Sequence, residues 1–138
     1  MKYPAYSFLV ELHVHLMRDV WHETFYGAHR PELLQSALAR PHQAACYEGA
    51  DGLRQAAYLF QGILMNHGFV QGNKRTAYAV LEWFLFANQL GTLVACNDTI
   101  VRFCLCAENE KWSVDQIEHW LRGNVSLSDC VPNPDEVG

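Results

Sequence analysis

Ten consecutive residues in mid-chain, His67-Gly68-Phe69-Val70-Gln71-Gly72-Asn73-Lys74-Arg75-Thr76, bring together the side-chain types that handle a phosphate. The glycines and asparagines of Asn66 to Asn73 interrupt helical patterning and predict a tight turn, with a new helix starting at about Lys74. A helix N-terminus presents unpaired N–H groups and a partial positive charge, which together make an anion site. Gly72 lets the backbone approach an anion closely. Asn73 is placed both to cap the helix and to donate from its amide. Lys74 and Arg75 add two cations at the end of the helix where cations are disfavoured, by about 0.3–1 kcal/mol each. A bound phosphate would resolve that conflict. His67 supplies an imidazole, the side chain that most often serves as a general base, one short loop away. Phe69, apolar between polar neighbours, is expected to plug into the core so that His67 and Asn73 face one cleft. From the residues alone, this pattern fits phosphoryl-group chemistry and equally fits an ordinary turn with a surface histidine.

The elements that must position this loop read as helices throughout. Phe8, Leu9, Leu12, Leu16 and Val20 recur at helical steps and predict a helix from Phe8 to about Trp21. Pro31 suits the first turn of a second helix with Leu33, Leu34, Ala37 and Leu38 on its apolar face, ended at Arg40 by Pro41. The stretch from Pro41 to Gly49 is then expected as loop, carrying detail of a target-docking surface. Asp51 is the expected N-cap of a third helix reaching Asn66. Lys74 to about Gln89 is apolar on nearly all sides and predicts a buried central helix, with Gly91 as its C-terminal cap. Asp98 caps an expected helix from Thr99 to Glu108. Ser113 and Gln116 form a capping box for a last helix to about Arg122. The fold class is therefore all-α, a single bundle of about six helices with the motif loop before a buried central helix. The domain is expected over residues 6–124, with 125–138 a flexible tail.

Composition narrows the function classes. Half of the 138 residues are apolar and 18% are charged, which excludes intrinsic disorder. The net charge of −5 argues against a broad basic surface, so no direct nucleic-acid binding is expected. A cationic spot at Lys74 and Arg75 suits a small phosphorylated molecule instead. Five cysteines, an odd number with no Cys-x-x-Cys, point to reduced thiols and a cytoplasmic setting. No apolar run reaches the roughly 18 residues of a membrane span, so no membrane association is expected. The N-terminus lacks the sustained apolar core of a signal peptide.

Other chemistry-bearing residues read as structural. His13 and His15 are two apart and face away from each other on a helix, so they are no metal pair. His15 and His22 are expected as surface or satisfied polar groups. Cys104 and Cys106, and Trp83, Phe84 and Phe86, read as core. Arg40 either lines the cleft or ends its helix.

The loop resembles the signature of the Fic/Doc (Fido) family, His-x-Phe-x-acid-Gly/Ala-Asn, then Gly or Lys, then Arg. Here it runs His67, Phe69, Gln71, Gly72, Asn73, Lys74, Arg75. Leu33-Leu34-Gln35-Ser36-Ala37-Leu38-Ala39-Arg40-Pro41 is similar to a segment of death-on-curing (Doc-type) toxins, and His15 falls where that group often has a histidine. The resemblance implies a Fido-type bundle acting on ATP and a protein hydroxyl. It assigns the catalytic base to His67, phosphate binding to Gly72, Asn73, Lys74 and Arg75, and a structural role to Phe69. Lys74 and Tyr78 stand where AMP-transferring members (AMPylation) carry Gly and a second Arg. The resemblance therefore favours the kinase-like branch, which phosphorylates a translation factor. Nucleotidyl transfer and a catalytically degenerate nucleotide- or antitoxin-binding module are the alternatives. The family acid that orients Mg²⁺ is replaced by Gln71, a weak metal position, which leaves Mg²⁺ to be held mainly by the nucleotide. The family's self-inhibiting motif is missing, so the resemblance implies inhibition in trans by an antitoxin protein.

Overall fold

In the computed structural model, residues 1–126 are described. Six α-helices are found there: α1 (Tyr6–Val14), α2 (Pro31–Glu48), α3 (Gly52–Asn66), α4 (Asn73–Ala87), α5 (Asn97–Asn109) and α6 (Val114–Asn124). A π-helical segment (His15–Val20) continues α1. Two short strands, β1 (Thr92–Leu93) and β2 (Val125–Ser126), pair antiparallel with Thr92 opposite Ser126. The fold is all-α, as the sequence predicts, and most of the expected tail (127–138) lies outside the described residues.

α3 is the centre of the bundle and packs on α2, α4 and α6. Its Phe60, Ile63 and Leu64 are fully buried with Phe84 and Leu81 of α4. Phe103 of α5 stacks on Phe60 at 5.0 Å and on Trp120 of α6 at 3.8 Å between centroids. Two helix starts follow their local signals. The Asp51 carboxylate accepts from the Arg54 N–H at 3.0 Å, and Ser113 with Gln116 forms the full capping box.

Several boundaries differ from expectation, each for a tertiary reason. α2 runs through Pro41 to Glu48 and ends at Gly49 in the left-handed conformation, so Pro41 to Gly49 is not loop. A mid-helix proline costs about 3 kcal/mol or more. Pro41 is buried here along with Leu34, Ala37, Leu38 and Ala44, and that face lies against α3. Contact is close: a Cβ on Gly62 would sit 2.8 Å from that of Ala37. In the first helix the buried stripe is Leu9, His13 and Met17, and Val20, the last residue of the π segment, is exposed. α4 ends at Ala87, short of Gln89, and its C-cap is Asn88 rather than Gly91; the Asn88 side chain donates back to the Phe84 carbonyl at 3.0 Å. α5 starts two residues early, after Cys96, with Asp98 inside its first turn. Phe86 is exposed on α4 and not core.

Candidate active site

The motif loop joins α3 to α4 and is shaped from four sides. Asn66, the last residue of α3, donates its side-chain amide to the Leu33 carbonyl of α2 at 3.0 Å. His67 follows in the left-handed region, φ 50°, and its side chain is exposed. Gly68 is fitted against Leu34: a Cβ there would fall 2.4 Å from Cδ2 of that leucine. Phe69 is buried, as expected, and stacks face to face on the imidazole of His13.

Asn73 is the first residue of α4, and Gly72, with φ 77°, takes the N-cap position expected for Asn73. Gly72 accepts the Thr76 N–H on its carbonyl at 2.9 Å. A Cβ at Gly72 would lie 2.5 Å from Sδ of Met17, so both backbone angle and space require glycine. The Asn73 side chain closes the loop: its Oδ1 accepts from the Phe69 N–H at 3.1 Å and its Nδ2 donates to the Phe69 carbonyl at 3.2 Å. Both ends of that amide are therefore spent on loop shape.

A chain segment before α2 folds back along this loop. Ala28 and Phe69 form an antiparallel bridge. The N–H groups of His29 and Arg30 both donate to the Gly68 carbonyl, at 2.8 and 2.9 Å, and Val70 N–H donates to the Gly27 carbonyl at 2.9 Å. The Gln71 side-chain amide donates to the Phe25 carbonyl. Between segment and loop lies a cleft of about 730 Å³, lined by Phe25, His29, Arg30, Asn66, His67, Val70 and Asn73 among others. That volume falls in the usual range for small-molecule sites, about 300–1,000 Å³.

The predicted residues separate into two groups. His67 and Asn73 line this cleft together. Lys74 and Arg75 line a second, more apolar cleft of about 310 Å³ with Trp21, Tyr78 and Leu105. There each cation meets a carboxylate: Lys74 Nζ lies 2.7 Å from Glu108, and an Arg75 Nη lies 3.3 Å from Glu23. Arg75 also sits over the Trp21 ring at 4.9 Å. Arg40 lines neither cleft; it donates to Gln61 at 2.8 Å and lies over Tyr58.

His13 is the site-supporting residue that sequence reasoning missed; His15, singled out in its place, is exposed and bonded to Asp19. The Gly27 N–H donates to Nε2 of His13 at 3.2 Å, which leaves the ring proton on Nδ1, 2.9 Å from Thr76 Oγ1. One neutral imidazole thus joins α1, the fold-back segment, the motif loop and α4. Burial, reinforced by the Arg75 charge, pushes its pKa down to about 4. Its one sequence signal was position, four residues after Leu9 and four before Met17 in the buried stripe.

The donor set does not fit a protein-held Mg²⁺. That ion takes hard anionic oxygens in octahedral geometry. No Asp or Glu lines the larger cleft, Gln71 is neutral, and its amide nitrogen is committed to Phe25. Among the described residues, no group of three His, Cys, Asp or Glu is placed to hold a metal. No described helix is long and apolar enough to cross a membrane.

An all-α bundle carrying a His-x-Phe loop before the N-terminus of α4 defines a class, and comparison with known proteins gives it a name. The family model for the Fic/DOC family matches residues 3–85, more than half of the chain, and the chain belongs to that family. A more particular likeness is to Toxin Doc of Mycolicibacterium smegmatis, 47% identical over 60 residues. That match covers 41% of this chain and 45% of the relative, so the chain spans less than half of the toxin it matches.

Proposed function

We propose that this chain is a Doc-type toxin acting in the cytoplasm, which transfers the terminal phosphoryl group of ATP to a hydroxyl of a protein target, a translation factor by resemblance. The observation that carries the reading is His67. It is an exposed imidazole on a cleft of about 730 Å³, held at the end of α3 beside the start of α4. In this reading His67 takes the proton of the target hydroxyl as its oxygen bonds to the terminal phosphorus. The bond from that phosphorus to the bridging oxygen breaks, and ADP leaves with the electron pair. The orphan N–H groups at the start of α4 face the phosphates, with Gly72 and Asn73 shaping that start. Lys74 and Arg75 reach the phosphates by exchanging Glu108 and Glu23 for them. The cleft provides no carboxylate to hold Mg²⁺. Inhibition in trans by an antitoxin protein accompanies the reading, supported by the likeness to Toxin Doc.

The test is incubation of the purified chain with a cell extract and ATP labelled at either the γ- or the α-phosphate. Labelled protein from γ-labelled ATP alone is expected, and it disappears with His67→Ala while the circular dichroism spectrum is kept. Label from the α-position would establish nucleotidyl transfer instead. Binding of ATP with no label from either position would establish a non-catalytic module.

A further inference from the structure

The larger cleft holds a cation that no motif assigns. Arg30 lines it beside His67 and Asn73. The backbone N–H of Arg30 is bonded at 2.9 Å to the carbonyl of Gly68, the residue after His67, so the arginine is rooted on the motif loop itself. The two cations of the motif are neutralised: Lys74 by Glu108 and Arg75 by Glu23. Among the described residues Arg30 makes no ion pair, no side-chain hydrogen bond and no contact with a ring face. It also occupies the N-cap position of α2, an 18-residue helix, with no side-chain cap. A cation at that end opposes the helix dipole, a cost that a bound anion reverses.

The second observation is the missing carboxylate. Where phosphates are bound through a divalent cation, one or two carboxylates hold that cation. Here Gln71 stands in the acid's place, and its amide ties down the Phe25 carbonyl. A free guanidinium and a cleft without acid are complementary facts. Both favour direct contact between protein and phosphate, and the planar fork of an arginine matches two phosphate oxygens at once.

We propose that Arg30 is the phosphate-binding cation of this cleft, and that it neutralises a polyphosphate there without a divalent metal. The proposal rests on the nucleotide reading for its natural ligand, and its chemistry is that of a di- or triphosphate group.

The test is isothermal titration of the full chain with ATP and, separately, with inorganic tripolyphosphate, each in EDTA and in Mg²⁺. Both ligands are expected to bind in EDTA, within about threefold of their affinity in Mg²⁺. Arg30→Gln is expected to weaken both by at least about tenfold, the size of one charge-assisted contact. Arg30→Lys recovers part of the loss, and Arg102→Gln, the same charge change at an exposed position of α5, changes nothing. Circular dichroism confirms the fold of each variant. Unchanged binding by Arg30→Gln, or wild-type binding that needs Mg²⁺, overturns the proposal and leaves the nucleotide reading standing if ATP binds. Tripolyphosphate binding through Arg30 without ATP binding upholds the proposal and overturns the nucleotide reading. Binding of neither ligand overturns both.

Discussion

The imidazole of His13 lies flat on the phenyl ring of Phe69, with centroids 3.8 Å apart and planes within 8° of parallel. The stack couples the first helix to the one apolar residue of the motif loop. It also depends on charge, because the imidazole face packs against Phe69 while its Nε2 accepts the Gly27 N–H. Protonation would set two N–H groups against each other at that point and add a cation near Arg75.

A stability loss in mild acid follows. The folded-state pKa of His13 is about 4, below the ordinary 6.5, so the unfolded chain binds the extra proton first as pH falls. The contribution of His13 is complete above about pH 6.5 and disappears progressively as pH drops to about 4. Urea unfolding of the wild type at pH 7 and pH 5 is expected to show a falling midpoint. His13→Gln, which bonds without titrating, should show a smaller fall across the same interval. An equal fall in both proteins would remove His13 from the account.

Gln71 is expected to serve as a latch. Its amide N–H donates to the Phe25 carbonyl, and a carboxylate in its place has no hydrogen to give. Gln71→Glu should therefore loosen the fold-back segment while leaving the bundle intact. Loss of one net hydrogen bond, about 0.5–1.5 kcal/mol, corresponds to local opening up to roughly tenfold more frequent. The readout is hydrogen exchange at the Gly27 and Val70 amides, which pair with His13 and Gly27 across the same segment. Unchanged exchange there would show that the latch carries no weight.

What the sequence made legible divides by range. Asp51, Ser113 and Gln116 announce helix starts through bonds that span three residues, and those starts are found in place. Phe69 was readable as core because an apolar residue in a polar loop has few other uses. Pro41 misled because its local cost is offset by a buried face against α3, which no window of neighbouring residues reveals. His13 was passed over because its type says surface, while its environment comes from Gly27, Phe69 and Thr76, all distant in sequence. Lys74 and Arg75 sit at the start of α4 as expected. That they turn to Glu108 and Glu23 depends on α5 and the fold-back segment.

Gly68 offers a steric prediction independent of charge. The Cβ of an alanine would sit 2.4 Å from Cδ2 and 2.5 Å from Cγ of Leu34, itself fully buried in α2. Moving the Leu34 methyl aside means repacking a fully buried side chain, so Gly68→Ala should destabilise the fold by about 1–3 kcal/mol, in the range of overpacked cores. Thermal unfolding checks this. Leu34→Ala alone also destabilises, by cavity formation. The double variant should lose less than the two losses added, because each substitution relieves the other. Simple additivity would show that the loop had moved away from α2.

Glu23 holds the Arg75 guanidinium at 3.3 Å and is about one-third exposed. If Arg75 contacts phosphate, as the family resemblance implies, the anion must displace this carboxylate. Removing the competitor then favours binding. Glu23→Gln is expected to raise affinity for ATP by up to about fivefold, the worth of a partly exposed ion pair. In an Arg75→Gln background the same substitution should give no gain, because the competition has lost its object. A gain that persists without Arg75 would mean that Glu23 acts through the general field of the cleft. No gain in either background would mean that Arg75 stays over Trp21 when the ligand binds, leaving Arg30 to meet the phosphate.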